Sequence, residues 1–290
     1  MSLKTKESTY ETIRGVYGSK ATAGESTETK SRIAAALGYD PEDAAAIPDQ
    51  ANLGVGCGNP LMIANLREGE TVLDLGSGGG FDVLLASKKV GSTGKAIGVD
   101  MTEDMLELAR RNAAKMNVTN VDFIRANITK IPVESESVDC VISNCVLNLV
   151  PQEDKPCTFA EMYRILKPGG RIAVSDFLAL KPLPPKLKED AKLWTECISG
   201  ALEVGQMDQM LRSAGFQDLL LVDKHLGPSL YQDQTCCSTQ EGSSEAGNSC
   251  CTSAAGSVDG PARAAESKMD SDLDQYLSAF NIYALKANGA

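Results

Sequence analysis

Thr71-Val-Leu-Asp-Leu-Gly-Ser-Gly-Gly-Gly-Phe-Asp82 passes from an apolar run into a cluster of glycines and out into a second apolar pattern. It reads as a buried strand, a tight turn and a helix over 81–89. A second apolar run, Ala96-Ile-Gly-Val-Asp100, ends in an acid twenty residues after the last glycine of the turn. This is the arrangement of a nucleotide-cofactor site at the carboxyl edge of a parallel sheet. Glycine suits such a turn because the backbone bends sharply and approaches a ligand where a Cβ would clash. Asp100 then stands where it can accept hydrogen bonds from both ribose hydroxyls.

The detail of the turn narrows the ligand. Dinucleotide sites use Gly-x-Gly-x-x-Gly with diphosphate at the helix N-terminus. Here Gly76, Gly78 and Gly80 are spaced two apart, and Asp74 stands two residues before the first. A carboxylate in the turn repels diphosphate but suits a cationic ligand with a free amino group. S-adenosylmethionine is such a ligand.

The remaining chain supplies a sheet. Thr102 is placed to cap the next helix, with Glu103 and Asp104 in its first turn and an apolar face of Met105, Leu108, Ala109, Ala113 and Met116. Further strands are predicted at 121–127, 138–144, 171–177, 219–224 and 280–287. A helix is predicted at 159–166, closed by the turn Lys167-Pro-Gly-Gly170, and another around 207–214. Alternating strands and helices imply a doubly wound α/β sheet. Seven strands in this order, with Lys-Pro-Gly-Gly before the fifth, resemble the class I S-adenosylmethionine-dependent methyltransferases. The resemblance implies a Rossmann-like sheet whose seventh strand runs antiparallel. It divides the chain into an N-terminal helical cap (1–50), a cofactor-binding domain (51–180), a substrate-side region (181–228), a linker (229–267) and a terminal segment returning to the sheet (268–290).

A chain of 290 residues with 42% hydrophobic content can bury one large core. No apolar run is long enough to span a bilayer, and Met1-Ser-Leu-Lys-Thr-Lys lacks a secretion signal's apolar centre. A net charge of −11 argues against nucleic acid as partner and for a small-molecule substrate. Nine cysteines without an export signal read as reduced thiols of a cytoplasmic protein, not a disulfide framework.

Those thiols are the second informative feature, because the single histidine, His225, stands far from the cofactor motifs and no general base is evident near them. Cys140, inside an apolar strand, and Cys157, at a helix start, read as small core hydrophobes. Cys57 in Asn52-Leu-Gly-Val-Gly-Cys-Gly-Asn-Pro60 and Cys145 in Ser143-Asn-Cys-Val-Leu-Asn148 differ: one lies between glycines, the other at a strand end where α/β sheets place ligands. Cys197 sits in Trp194-Thr-Glu-Cys-Ile-Ser-Gly200, after the fifth strand.

The cysteine loop at 52–60 followed by the glycine turn is similar to the arsenite methyltransferase family, and 143–151 and 196–202 resemble that family's other cysteine motifs. The resemblance implies that Cys57, Cys145 and Cys197 are the three thiols holding trivalent arsenic. Soft thiolates select thiophilic centres, and an arsenic lone pair aimed at a sulfonium methyl needs no general base. Glu196 is then placed to take a proton as the neighbouring thiol is metallated. By the same resemblance Asp74, Gly76 and Gly78 line the methionine portion of S-adenosylmethionine, Asp100 the ribose, and Met101 the adenine. Asn127 and Ile128 face the adenine edge, Asn144 lies near the methionine end, and Tyr17 and Gly18 fold over the cofactor. The implied partners are arsenite or its glutathione conjugate and a thiol reductant, glutathione or thioredoxin, acting on a monomer. Many family members carry a further cysteine soon after the Tyr-Gly; none occurs at 21–30 here.

Two other functions fit the residues: a methyltransferase for a carbon or thiol nucleophile, and a non-catalytic metalloid sensor or sequestering protein. The linker at 229–267 is rich in Ser, Gly, Ala, Gln and Glu and reads as disordered. Its Cys236-Cys237 and Cys250-Cys251 pairs lack the Cys-x-x-Cys spacing of structural zinc sites.

Overall fold

The computed structural model describes residues 5–22, 26–231 and 273–288. Seven strands, β1 (Thr71–Leu75), β2 (Lys95–Asp100), β3 (Val121–Arg125), β4 (Val138–Asn144), β5 (Leu166–Ala179), β6 (Phe216–Asp223) and β7 (Leu277–Lys286), form one sheet in the order β3-β2-β1-β4-β5-β7-β6. The first five pair in parallel, and β7 runs antiparallel between β5 and β6. The seven-stranded doubly wound sheet expected from the sequence is therefore present.

Among the described residues ten α-helices surround it: α1 (Lys6–Lys20), α2 (Thr27–Ala36), α3 (Pro41–Ala45), α4 (Leu61–Ala64), α5 (Phe81–Val90), α6 (Glu103–Met116), α7 (Lys155–Ile165), α8 (Pro185–Lys188), α9 (Ala191–Thr195) and α10 (Val204–Ala214). Strand side chains alternate between two cores, as the two-residue period requires. Val72, Cys140 and Ile142 face α5 and α6 through Leu84, Leu106 and Ala109. Leu73, Val141 and Ile172 face α7 and α10 through Phe159 and Leu211. Both faces are covered, which explains why these strands read as continuous apolar runs. None of the described helices is long and apolar enough to cross a membrane.

The strand order reverses between β1 and β4, and crevices at such a switch point hold ligands beyond the carboxyl ends of the strands. Asp74 and Asn144 stand at those two ends.

Local chemistry departs from the sequence reading in four places. Lys167-Pro-Gly-Gly170 does not separate helix from strand: α7 stops at Ile165, β5 begins at Leu166, and the four residues bulge out where pairing jumps from Val138–Leu166 to Cys140–Arg171. Thr102 precedes α6 in extended conformation, but its side chain makes no capping bond. Its N–H instead donates to Asp100, 2.9 Å away, so that carboxylate shapes the entry to the helix. Cys157 is exposed on α7 rather than buried, whereas Cys140 is fully buried in β4. Of the linker, 229–231 lies in a short 3-10 turn, Pro228–Tyr231; its remainder, with Cys236, Cys237, Cys250 and Cys251, lies outside the described residues.

Candidate active site

A cavity of about 670 Å³ opens above the β1/β4 switch point, roofed by α1. At one end the glycine turn lies against β4. Gly76 has φ +68° and a Cβ there would stand 2.6 Å from Val146, so the turn requires glycine on two counts. The Gly78 N–H donates to the Asp100 carboxylate at 3.0 Å, tying the turn to the end of β2.

Three acids crowd this end. Asp74, Asp82 and Asp100 all line the cavity. Burial, then Asp82 and Asp100, push the Asp74 carboxyl well above its usual range, and no hydrogen-bond donor among the described residues reaches it. Burial also pushes Asp82 up to about 6, with the Tyr39 hydroxyl, which donates to it, and the nearby Asn144 amide opposing. Asp100 is raised by burial against the N–H groups of Thr102 and Gly78. Buried anions without a cation are unfavourable, and here they converge on open space. A cationic ligand would relieve all three, which is the test a sulfonium bearing an amino group passes.

The other predicted cofactor residues are placed as follows. Met101, Asn127 and Ile128 line the cavity beyond β2 and β3. The Asn127 side chain accepts from the Thr129 N–H and hydroxyl, both at 3.0 Å. Tyr17 lines the cavity from α1 and donates to the Thr195 carbonyl at 3.2 Å. Gly18 does not line it; a Cβ on Gly18 would stand 3.0 Å from an Asp104 carboxylate oxygen, so its contact is with α6. Asn144 lines the cavity, but its amide is already engaged: Oδ1 accepts from the Cys57 N–H at 3.0 Å, and Nδ2 donates to the Gly58 carbonyl at 2.8 Å and the Tyr39 hydroxyl at 3.1 Å.

The cysteines gather where the turn after β4 meets the loop before α4. Cys145 and Cys197 line the cavity, while Cys57 is buried behind it at 1% exposure. Cys145 (φ +57°) and Cys197 (φ +63°) are two of the seven described non-glycine residues in left-handed backbone. Such backbone is uncommon for any residue but glycine and gathers at functional turns. Two features hold these turns. The Asn148 amide donates to the Cys197 carbonyl at 3.1 Å and to Asp176 at 2.8 Å. Gly200 passes so close that its Cβ would overlap the Asn148 carbonyl oxygen.

The redox state differs from the sequence expectation. Cys57 and Cys145 are joined in a disulfide rather than present as two reduced thiols. The loop from α3 into α4 and the turn after β4 bring their Cα atoms to 5.8 Å, within the ordinary span of a disulfide. Cys197 is a buried free thiol whose Sγ donates to the Cys145 carbonyl at 2.7 Å. Burial, then the Asp176 carboxylate, push that thiol well above its ordinary range, with the Tyr17 hydroxyl opposing. Glu196 is exposed at the cavity lip, next in sequence to Cys197.

The sequence reading missed Tyr39, Asp82, Lys155 and Asp176. The Tyr39 hydroxyl donates to Asp82 at 2.7 Å, bridging the acid end to Asn144 and the Cys57 loop. Asp176 is fully buried in β5 beside the disulfide, and Lys155 is buried next to it. An acid near the end of the apolar strand at 171–177 was the available signal for Asp176. Lys155 carried none.

The methyltransferase-domain family matches residues 66–215. Arsenite methyltransferase of Halobacterium salinarum is 43% identical over 244 residues, covering 78% of this chain and 62% of that protein. Arsenite methyltransferase of Homo sapiens is 37% identical over 59% of this chain and 47% of its own length. The chain therefore spans between about half and two thirds of these relatives. Among solved structures, an arsenic(III) S-adenosylmethionine methyltransferase from Chlamydomonas reinhardtii superposes with a TM-score of 0.57 at 27% identity, over 92% of this chain and 76% of that one. Geranyl diphosphate C-methyltransferase from Streptomyces coelicolor, at 18% identity, a TM-score of 0.59 and coverage of 78% and 77%, shares the fold alone. A switch-point cavity with a glycine turn at one end, in a sheet of this order, agrees with the match over 66–215: the chain belongs to the methyltransferase-domain family.

Proposed function

We propose that this chain methylates trivalent arsenic, with S-adenosylmethionine as donor and Cys57, Cys145 and Cys197 as the thiols that hold the arsenic. The observation that carries the reading is one cavity lined both by three buried acids without a cation, Asp74 among them with no donor, and by two cysteines on left-handed turns. The similarity to arsenite methyltransferases at 43% and 37% identity supports it.

When bound, S-adenosylmethionine supplies an electrophilic sulfonium methyl. Asp74 and the turn at Gly76 and Gly78 hold its charged methionine portion, with Asp82 behind them. Asp100 and Met101 hold the ribose and adenine, with Asn127 and Ile128 at the adenine edge. Asn144 acts mainly on the protein, fixing the Cys57 loop. Tyr17 closes the cavity from α1 and sits against Cys197, while Gly18 lets α1 approach α6. Arsenic in the thiols presents its lone pair towards the methyl, so the protein's part is alignment and exclusion of water. Glu196, at the lip, takes the proton that Cys197 gives up on metallation.

The Cys57–Cys145 disulfide must open before those two sulfurs can hold arsenic. A thiol reductant, glutathione or thioredoxin, is therefore part of the proposal, as are a glutathione-conjugated substrate, a single copy of the chain and a cytoplasmic location. The test incubates the purified chain with S-adenosylmethionine, arsenite and excess glutathione, and separates the products with element-specific arsenic detection. Methylated arsenic that disappears in Cys197→Ser is the expected result. Protein that binds the cofactor yet forms no methylated arsenic would refute the arsenic assignment and leave a methyltransferase for another nucleophile.

A further inference from the structure

Asp74, Asp82, Asp100 and Glu196 line the cavity, and among its described lining residues Lys20 alone carries a positive charge. S-adenosylmethionine brings two cations, its sulfonium and its ammonium group, and one anion, the carboxylate of its methionine portion. The three buried acids account for the cations. The anion has no such counterpart at the glycine turn.

In dinucleotide sites a glycine turn gives its N–H groups to the anionic ligand. Here the turn has used them on the protein. The N–H groups of Gly76 and Ser77 donate to the Val99 carbonyl at 2.8 and 3.0 Å, that of Gly78 to Asp100 at 3.0 Å, and that of Gly80 to the Ser77 carbonyl at 2.9 Å. Gly79 is packed against the backbone of Gln50 and Ala51. The Ser77 hydroxyl has no partner among the described residues, but it lies against β2, where a Gly98 Cβ would stand 2.7 Å from it. The Asn144 amide is taken by the Cys57 loop. A carboxylate brought beside three acids, with no donor to receive it, is unfavourable.

Helix α1 supplies the charge. Tyr10, Ile13, Tyr17 and Lys20 recur at helical spacing and line the cavity from one face of α1. The Tyr10 hydroxyl donates to Asp154 at 2.9 Å and the Tyr17 hydroxyl to the Thr195 carbonyl at 3.2 Å, which holds that face over the cavity. Lys20 Nζ stands 5.2 Å from the centre of the Tyr17 ring. It makes no salt bridge among the described residues. Its charge reaches Cys197, where it opposes the effect of burial on that thiol. Transfer to arsenic on the thiols puts the sulfonium and its methionine portion beside them, and the adenine away from them.

We propose that Lys20 binds the carboxylate of the methionine portion of S-adenosylmethionine, as the single cation of an otherwise acidic site. Adenine and ribose carry no charge, so the carboxylate is the one anionic group of the cofactor that the lysine can meet. The inference rests on the cofactor named in the proposed function and deepens it. Lys20 also lies in the last turn of α1, where a cation suits the helix dipole, and it touches the Tyr17 ring. Neither of those roles depends on whether the ligand carries a carboxylate, so the ligand decides between them.

The test is calorimetry of the full chain and of Lys20→Met with two ligands, S-adenosylmethionine and decarboxylated S-adenosylmethionine, which keeps the sulfonium, the amine and the nucleoside. Arsenite and glutathione are left out, so no carboxylate of a glutathione conjugate can stand in. The native chain should prefer the carboxylated ligand. That preference, as a ratio of affinities, should fall about thirtyfold in Lys20→Met, through weaker binding of S-adenosylmethionine and not of the decarboxylated form. A ratio that moves less than about threefold overturns the assignment, whether both ligands weaken together, as loss of a purely structural lysine would cause, or neither does. A native chain that prefers the decarboxylated form overturns it without any variant. A native chain that binds neither ligand sinks the cofactor reading and this inference with it, whereas cofactor binding with an unchanged ratio sinks this inference alone.

Discussion

The acid end of the site, at the glycine turn, and its cysteine end both bury acids, and they treat them in opposite ways. At the glycine turn, burial raises Asp74, Asp82 and Asp100, the last two raise Asp74 further, and no lysine or arginine is among the main causes of these shifts. At the cysteine end, Asp176 has Lys155 beside it and three donors on its oxygens. Buried charge is tolerated only when paired. The first end is incomplete until a cation arrives from outside, and the second is internally balanced. One is built to bind; the other is held by its own partners.

Removing one charge from each end gives the sharpest contrast. Lys155→Met leaves Asp176 without its cation and removes the shorter of two hydrogen bonds to the Leu147 carbonyl. It should lower unfolding stability by about 3 kcal/mol in urea titrations. A loss of a few tenths would mean the pair is neutral and interchangeable with apolar packing. Asp74→Asn should leave the ligand-free fold as stable or slightly more stable, because it removes a mutual repulsion. Its effect should fall on cofactor affinity, weakened about a hundredfold by calorimetry. A destabilised Asp74→Asn fold would break the comparison.

The acid end also predicts a pH dependence. An unfolded aspartate titrates near 3.9, whereas Asp82 in the fold titrates at about 6. Between those values the folded chain keeps a proton that the unfolded chain has released, so this group's contribution to stability falls as pH rises from about 4 to about 6. The difference in Tm between native protein and Asp82→Asn, followed across that window, isolates it. Binding a cation favours the ionised acids, so S-adenosylmethionine should release protons and bind more tightly as pH rises through about 6. Calorimetry in two buffers of different ionisation enthalpy reads the proton count.

The acid end, Asp82 and Tyr39 excepted, was legible in sequence and the cysteine end less so, for a physical reason. Asp74, Gly76, Gly78 and Asp100 act within one strand–turn–helix unit and the next strand, so their spacing along the chain carries their geometry. Cys57, Cys145 and Asp176 come from three separate segments, and their meeting depends on β1, β4 and β5 being neighbours in the sheet. The disulfide followed from that long-range approach, which no local pattern encodes. Lys155 opens a helix in a charged stretch, and only the packing of α7 on the sheet buries it. The Lys167-Pro-Gly-Gly170 bulge shows the converse, a strong turn signal absorbed into a strand by pairing on both sides.

Tyr39 joins the two ends, and its removal should have the smallest effect. It reaches from the segment after α2 and is buried between Asp82 and Asn144. Asn144 in turn holds the Cys57 N–H and the Gly58 carbonyl. Tyr39→Phe keeps the ring, which packs edge-on against Phe81 at 5.1 Å, and deletes only the hydroxyl. The loss should be about 1 kcal/mol in stability. If the ends are energetically separate, cofactor affinity alone responds, through the loss of a donor to Asp82. If the Tyr39–Asn144 link couples them, the rate of Cys57–Cys145 reduction changes as well, because the Cys57 loop loses part of its anchor. A double-mutant cycle of Tyr39→Phe with Asn144→Ala measures the coupling directly. A coupling energy near zero would establish that the acid end and the cysteine end share a site without sharing energy.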